Sequence, residues 1–173
     1  MYELTFCILH VNRPIKLKRC VDSIEKNTSS PYKIMILQQG PPDTKTKKYL
    51  LKLQTRPKIN ILYSDQNLGC GGGRRVLVEK AETPFIMTLD DDIYVQKNWL
   101  EPVIHLLDNH DMEAVGIPQY TLDNRLFNLS GKWIHISWEK KIVRSKSLPL
   151  RLIKSKRGFI RVNSVSGLSL IHI

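Results

Sequence analysis

Residues 67–92 read NLGCGGGRRVLVEKAETPFIMTLDDD, and this stretch decides the fold class. It holds four glycines in five positions (Gly69, Gly71, Gly72 and Gly73), then a helical run from Arg74 to Glu82, then an apolar strand, Phe85–Leu89. The strand runs straight into Asp90, Asp91 and Asp92. Val76, Leu77 and Ala81 are spaced to bury one side of the helix. Helix followed by buried strand is the grammar of an α/β sheet, whose ligands gather beyond the carboxyl ends of the strands.

The same alternation repeats upstream. Leu4–Val11 is an apolar run that suits a buried strand, and Leu17, Cys20, Val21 and Ile24 form a helical stripe that follows Pro14 and ends over residues 27–31. Tyr32–Leu37 reads as a second strand, QQGPPDT as a break, and Tyr49, Leu50 and Leu53 as the inward face of a short helix. Lys58–Tyr63 reads as a third strand. Downstream, Asn98 is placed to cap a helix presenting Leu100, Val103, Ile104 and Leu107, and Ala114–Ile117 forms a fifth strand. Right-handed crossovers then make the central sheet mostly parallel. After Pro118 the pattern loosens into a hairpin or an extended excursion, with Asp123-Asn124 as a turn. The expectation is one α/β domain with an altered pattern over 119–173.

The chain has 173 residues, with 27 Lys and Arg against 16 Asp and Glu, a net charge of +11. A 42% apolar content excludes a disordered tail. Cys7, Cys20 and Cys70 are too few and too scattered for a disulfide framework or zinc knuckle, which suits a reducing compartment. No stretch reaches the ~20 apolar residues of a membrane span, and the N-terminus makes a poor secretion signal. Residues 132–161 hold ten Lys or Arg against Glu139 alone. Such a tract attracts nucleic acid, anionic lipid or phosphorylated substrates, or is simply a solvated face.

Three adjacent carboxylates disfavour one another's ionisation, and a divalent cation relieves the conflict. Extended geometry sends Asp90 and Asp92 to one side and Asp91 to the other. Two carboxylates are few for an ion that takes about six oxygens, so water and substrate phosphates would complete the set. The plainer alternative is an acidic turn that caps a helix. The glycine segment lets a ligand approach the backbone and opens a helix whose amides favour phosphate, with Arg74 and Arg75 as charged donors. It is neither a Walker A loop nor a dinucleotide fingerprint.

Three features together resemble a family 2 glycosyltransferase of the GT-A fold, across Thr5 to Gly167. They are Asn12-Arg13 after the first strand with Cys20–Ser23 beyond it, then Asn67, Gly69 and Arg74, then Leu89-Asp90-Asp91-Asp92. The resemblance implies Mn²⁺ or Mg²⁺ at Asp90 and Asp92, and a nucleoside-diphosphate sugar as donor. It places Val11, Asn12, Arg13, Gln38, Gln39, Asn67, Gly69, Arg74 and Asp91 at the donor site, with Asp91 near the sugar or ribose. It further implies an inverting transfer to a carbohydrate, lipid-linked or other hydroxyl acceptor in cell-envelope polysaccharide assembly. The setting would be the cytoplasm, with peripheral contact at the inner, anionic membrane face.

Two departures stand out. Where the family has an acidic residue against the base, this chain has Gln38-Gln39; an amide can still read a base edge but supplies no carboxylate. No residue after Asp92, including Asp108, Asp111, Glu113, Asp123 and Glu139, matches the family's general base. The catalytic residue is therefore expected beyond the chain's end. On that reading 1–118 is the nucleotide-sugar and metal half, and 119–173 an incomplete start of the acceptor side. Leu168–Ile173 reads either as a strand or as extraneous sequence. His10 reads as a packed or edge histidine, His105 as structural or exposed, and Trp99 as a helix-packing residue. Trp133 and Trp138 read as core-packing residues or, failing that, sugar platforms, and Cys70 as a reactive thiol without a paired base. The rival functions are a sugar-phosphate nucleotidyltransferase, a nucleic-acid-binding module and a catalytically silent scaffold.

Overall fold

Seven consecutive buried residues, Leu4–His10, form β1 near the middle of a six-stranded sheet. The computed structural model describes residues 3–109 and, beyond them, 114–117, 119–120, 126–128, 131–137, 142–147, 164–165 and 169–172. α1 (Pro14–Asn27) leads to β2 (Tyr32–Gln39), α2 (Thr44–Gln54) to β3 (Ile59–Ser64), and α3 (Gly69–Lys80) to β4 (Phe85–Asp90). α4 (Leu100–Asn109) precedes β5 (Ala114–Gly116). The later strands are β6 (Gln119–Tyr120), β7 (Leu126–Asn128), β8 (Gly131–Ser137), β9 (Ile142–Ser147), β10 (Ser164–Val165) and β11 (Ser169–His172).

The main sheet has the order β3-β2-β1-β4-β11-β5. β1 to β4 are mutually parallel, whereas β11 runs antiparallel between β4 and β5. β6 and β7 form the expected hairpin, and β10, β8 and β9 a small antiparallel sheet.

Side chains of β1 alternate between two cores. Leu4, Phe6 and Ile8 pack with Leu17, Cys20, Val21 and Ile24 of α1 and with Leu50 and Leu53 of α2. Cys7 and Leu9 face the other way, toward Leu77 of α3. The helical stripes expected for α1 and α2 are the buried ones, with Tyr49 partly buried beside them. Each fully buried Leu, Ile or Phe contributes about 1.5–3 kcal/mol, and these two layers cover both faces of the sheet with helices.

Two local expectations need correction. α3 begins at Gly69 rather than Arg74, so the glycines belong to the helix, and of the four only Gly69 has a positive φ (67°). Asn98 lies two residues before α4 with φ 58°, not directly in front of it. Trp138, Phe159, residues 148–161 of the basic tract, His110, Asp111, Glu113, Asp123, Asn124 and Glu139 lie outside the described residues.

Candidate active site at the carboxyl end of the sheet

The first four strands all end at one edge, and short polar side chains tie their exits together. Asn12 leaves β1 with φ 44°, a left-handed conformation that Asn tolerates better than most residues. Its Nδ2 donates to the Pro41 carbonyl at 3.2 Å, and its Oδ1 accepts from the Asp43 amide at 3.0 Å. Asp43 in turn accepts the Thr46 amide at 2.7 Å and so caps α2. That bond holds the Asp43 carboxyl below the usual range.

Gln39 performs a similar task between β2 and α3. Its Oε1 accepts the Leu68 amide at 2.9 Å, while Asn67 Oδ1 accepts the Gly69 amide at 2.9 Å. These two bonds satisfy amides where α3 begins, which otherwise lack partners. Gly73 then passes so close to the sheet that a Cβ there would stand 2.6 Å from Leu9 Cδ2 and 3.0 Å from Gln39 Oε1. The glycine thus brings the α3 N-terminus down onto β1 and β2.

The acidic triplet is divided by the geometry of its strand. Phe85, Met87 and Leu89 of β4 face the α1 and α2 core beside Leu4, Phe6 and Ile8 of β1. Continuing that ladder, Asp91 meets His10. Both are fully buried, with Asp91 Oδ2 2.7 Å from His10 Nδ1. Arg13 Nε also donates to Asp91 Oδ2, at 3.3 Å, and its Nη2 forms an ion pair with Oδ1. Asp90 points to the opposite face, where Arg74 of α3 reaches its Oδ1 at 2.8 Å. A turn closed by the Ile93 amide on the Asp90 carbonyl, at 3.2 Å, then ends the alternation. Asp92 consequently pairs with Arg13 Nη1 and Lys16 Nζ, each at 3.2 Å.

This arrangement corrects the expectation that Asp90 and Asp92 share one side while Asp91 stands apart. Asp90 is drawn toward α3 and Asp92 toward the start of α1, because the chain turns at Asp91. Nor are the carboxylates uncompensated: Arg13, Lys16 and Arg74 balance them. Asp90 and Asp92 keep 47% and 36% of their side chains exposed, so both oxygen donors are accessible, a chemistry that suits Mg²⁺ or Mn²⁺. Among the described residues no three His, Cys, Asp or Glu side chains group into a metal site. A cation held here would draw on Asp90 and Asp92 and would need its remaining ligands from a bound diphosphate and water.

The segment after the triplet is lashed to α1. Asn27 Nδ2 donates to the Val95 carbonyl at 2.9 Å, and the Val95 amide donates to Ser23 Oγ at 3.1 Å. Trp99 packs its ring 5.8 Å from that of Phe6, the structural role expected of it. Burial pushes the Cys7 thiol up to about 12 and raises Cys20 further, with help from the nearby aspartates; Cys70 is exposed.

Among the donor-site residues expected from sequence, Asn12, Arg13, Asn67, Gly69, Arg74, Asp90, Asp91 and Asp92 stand at this edge, with Val11 37% exposed beside them. Gln38 and Gln39 differ from the base-reading pair expected. Both are buried; Gln38 Nε2 donates to the carbonyls of Gln39 (3.2 Å) and Gly40 (3.0 Å), and Gln39 holds Leu68. Asp91 likewise spends its carboxylate on His10 and Arg13 rather than on the solvent side. Lys16 was not foreseen. Its only signal is its position three residues after Arg13, on the same side of the first turn of α1.

A family profile described as Glycosyl transferase family 2 matches residues 5–166. A teichoic acid poly(glycerol phosphate) polymerase of Staphylococcus epidermidis is 27% identical over 128 residues, which is 73% of this chain and 18% of that protein. An uncharacterized glycosyltransferase of Methanocaldococcus jannaschii is 28% identical over 115 residues, 65% of this chain and 40% of that one. The chain thus spans well under half the length of these curated relatives. The crystal structure of S. aureus TarS 1-349 in complex with UDP-GlcNAc superposes with a TM-score of 0.69 at 16% identity, over 99% of this chain and 45% of that one. The same TarS segment without that ligand gives 0.66. This likeness shows the GT-A fold.

Proposed function

Because the chain belongs to glycosyl transferase family 2, we propose that it transfers a sugar from a nucleoside-diphosphate donor to an acceptor hydroxyl, with a divalent cation and with inversion. The observation that carries this reading is the 2.8 Å pair between Arg74, in the second turn of α3, and Asp90, at the end of β4. It puts a helix N-terminus, a guanidinium and two accessible carboxylates at one sheet edge, which is what a metal-bound diphosphate requires.

Asp90 and Asp92 would hold the cation, which when bound neutralises charge on the diphosphate leaving group. Arg74 supplies donors to the same oxygens, and the first amides of α3 add their partial positive charge. Asn12, Asp43, Gln39 and Asn67 fix the loops around that edge. Val11 and the Asn12 backbone remain the positions for the base or ribose. Inversion needs a carboxylate that takes the acceptor proton, and no described residue is assigned that role.

The S. aureus neighbour bound to UDP-GlcNAc supports a nucleotide sugar as the donor class. The S. epidermidis relative supports a cell-envelope polymer as the acceptor setting. No helix among the described residues is long and apolar enough to cross a membrane. The basic tract of 132–161 would favour a phosphorylated acceptor or anionic headgroups at the cytoplasmic face.

The test is product analysis of the intact chain with UDP-GlcNAc, Mn²⁺ and hydroxyl acceptors. With no described residue assigned as general base, Mn²⁺-dependent binding of UDP-GlcNAc is expected with only weak transfer to the acceptor, and a D90N/D92N double variant should lose both. Release of pyrophosphate from sugar phosphate and nucleoside triphosphate would establish the nucleotidyltransferase instead. Metal-independent, salt-sensitive nucleic-acid binding without turnover would overturn the transferase reading.

A further inference from the structure

We infer that His10 is a positioning residue for the Asp90–Asp92 turn, holding Asp91 inward so that the carboxylates on either side remain available to a cation. The inference rests on the proposed metal–diphosphate site. Its own ground is the buried pair at 2.7 Å between His10 Nδ1 and Asp91 Oδ2.

The sheet explains why this pair forms. Three cross-strand pairs, Leu4 with Phe85, Phe6 with Met87 and Ile8 with Leu89, stack on one face of β1 and β4. One step past the last pair of the ladder, Leu9 with Asp90, the side chains of His10 and Asp91 meet on that face. An apolar ladder thus ends in a polar rung under the turn. Both side chains are fully buried, so water does not satisfy the Asp91 carboxylate; His10 and Arg13 do. Arg13 is 45% exposed and is also engaged with Asp92, so it is shared between two carboxylates, while His10 serves Asp91 alone.

The other ring nitrogen strengthens the case. His10 Nε2 is buried and has no hydrogen-bond partner among the described residues. A leucine or valine would fill this strand position without leaving such an atom. What histidine adds there is the Nδ1–H directed at Asp91. If Asp91 were released, the turn would be free to rotate, and the outward aim of Asp90 and Asp92 would go with it. Direct partners of metal-binding carboxylates typically change metal affinity by about 10- to 100-fold when removed; His10 acts one residue away, through Asp91, so the lower end of that range is expected.

The experiment measures Mn²⁺ affinity of the intact chain by calorimetry in the presence of UDP, with the melting temperature of each variant recorded. H10L, which removes the donor, should bind Mn²⁺ about tenfold or more weakly. H10N should stay within about threefold of the wild type, because its Nδ2 occupies nearly the place of the imidazole Nδ1 and can donate to Asp91. If H10L does not fold, H10V replaces it in the same comparison. Equal Mn²⁺ affinity in the wild type and a folded H10L or H10V would overturn the inference alone. So would an H10N variant as weak as the apolar one, since volume rather than the donor would then matter. A wild-type chain that binds no Mn²⁺ with UDP would instead overturn the site itself, and the inference with it.

Discussion

At the scale of single residues, the site is built from side chains that bond to backbone at chain exits. Asp43 is the clearest case, since its carboxylate caps α2 while its amide donates to Asn12. Its folded-state pKa is lowered, chiefly by the Thr46 amide. The stabilisation from this cap is therefore fully present above the ordinary Asp range, near pH 4, and is lost as pH falls through the folded pKa. D43N keeps a capping oxygen without a titrating group. The melting temperature of the wild type should fall relative to D43N between about pH 6 and pH 3, and parallel curves would contradict the assignment. From sequence, Asp43 could be read as a cap because it stands before a helical stripe. The partners of the acidic triplet could not: Arg13 and Lys16 are distant in sequence, and only the β1–β4 register brings them to Asp91 and Asp92.

At the scale of elements, the strands and the first two helices were legible because their apolar spacing carries the signal. The start of α3 is not legible in this way, since five positions with four glycines look like a loop when helix propensity is the guide. Packing overrides propensity here. Gly73 must be small because Leu9 and Gln39 occupy the space a side chain would need. G73A should therefore cost about 1–3 kcal/mol in urea denaturation, as overpacking of a close helix–strand contact does. It should also weaken UDP binding by lifting the α3 N-terminus away from β2. A variant as stable as the wild type would show that the contact relaxes freely. The separation of Asp90 from Asp92 has a comparable origin: alternation predicts side-chain direction only while the strand lasts, and the turn at Asp91 ends it.

At the scale of the whole molecule, an apolar sheet with a polar carboxyl edge was evident from the sequence, because every irregular segment fell at a strand end. Sequence alone did not show that Ser169–His172 inserts antiparallel between β4 and β5, since a four-residue strand has no periodicity to distinguish it from an extraneous tail. The central claim is that the start of α3 and the end of β4 act on one ligand. Calorimetric titration of the intact chain with UDP, with Mn²⁺ and with EDTA, tests it most directly, using wild type, R74A and D90N/D92N. The account predicts tighter binding with Mn²⁺ in the wild type, loss of that metal enhancement in D90N/D92N, and about tenfold or weaker binding in R74A under both conditions. Nucleotide binding that is indifferent to Mn²⁺ and unchanged in both variants would contradict it.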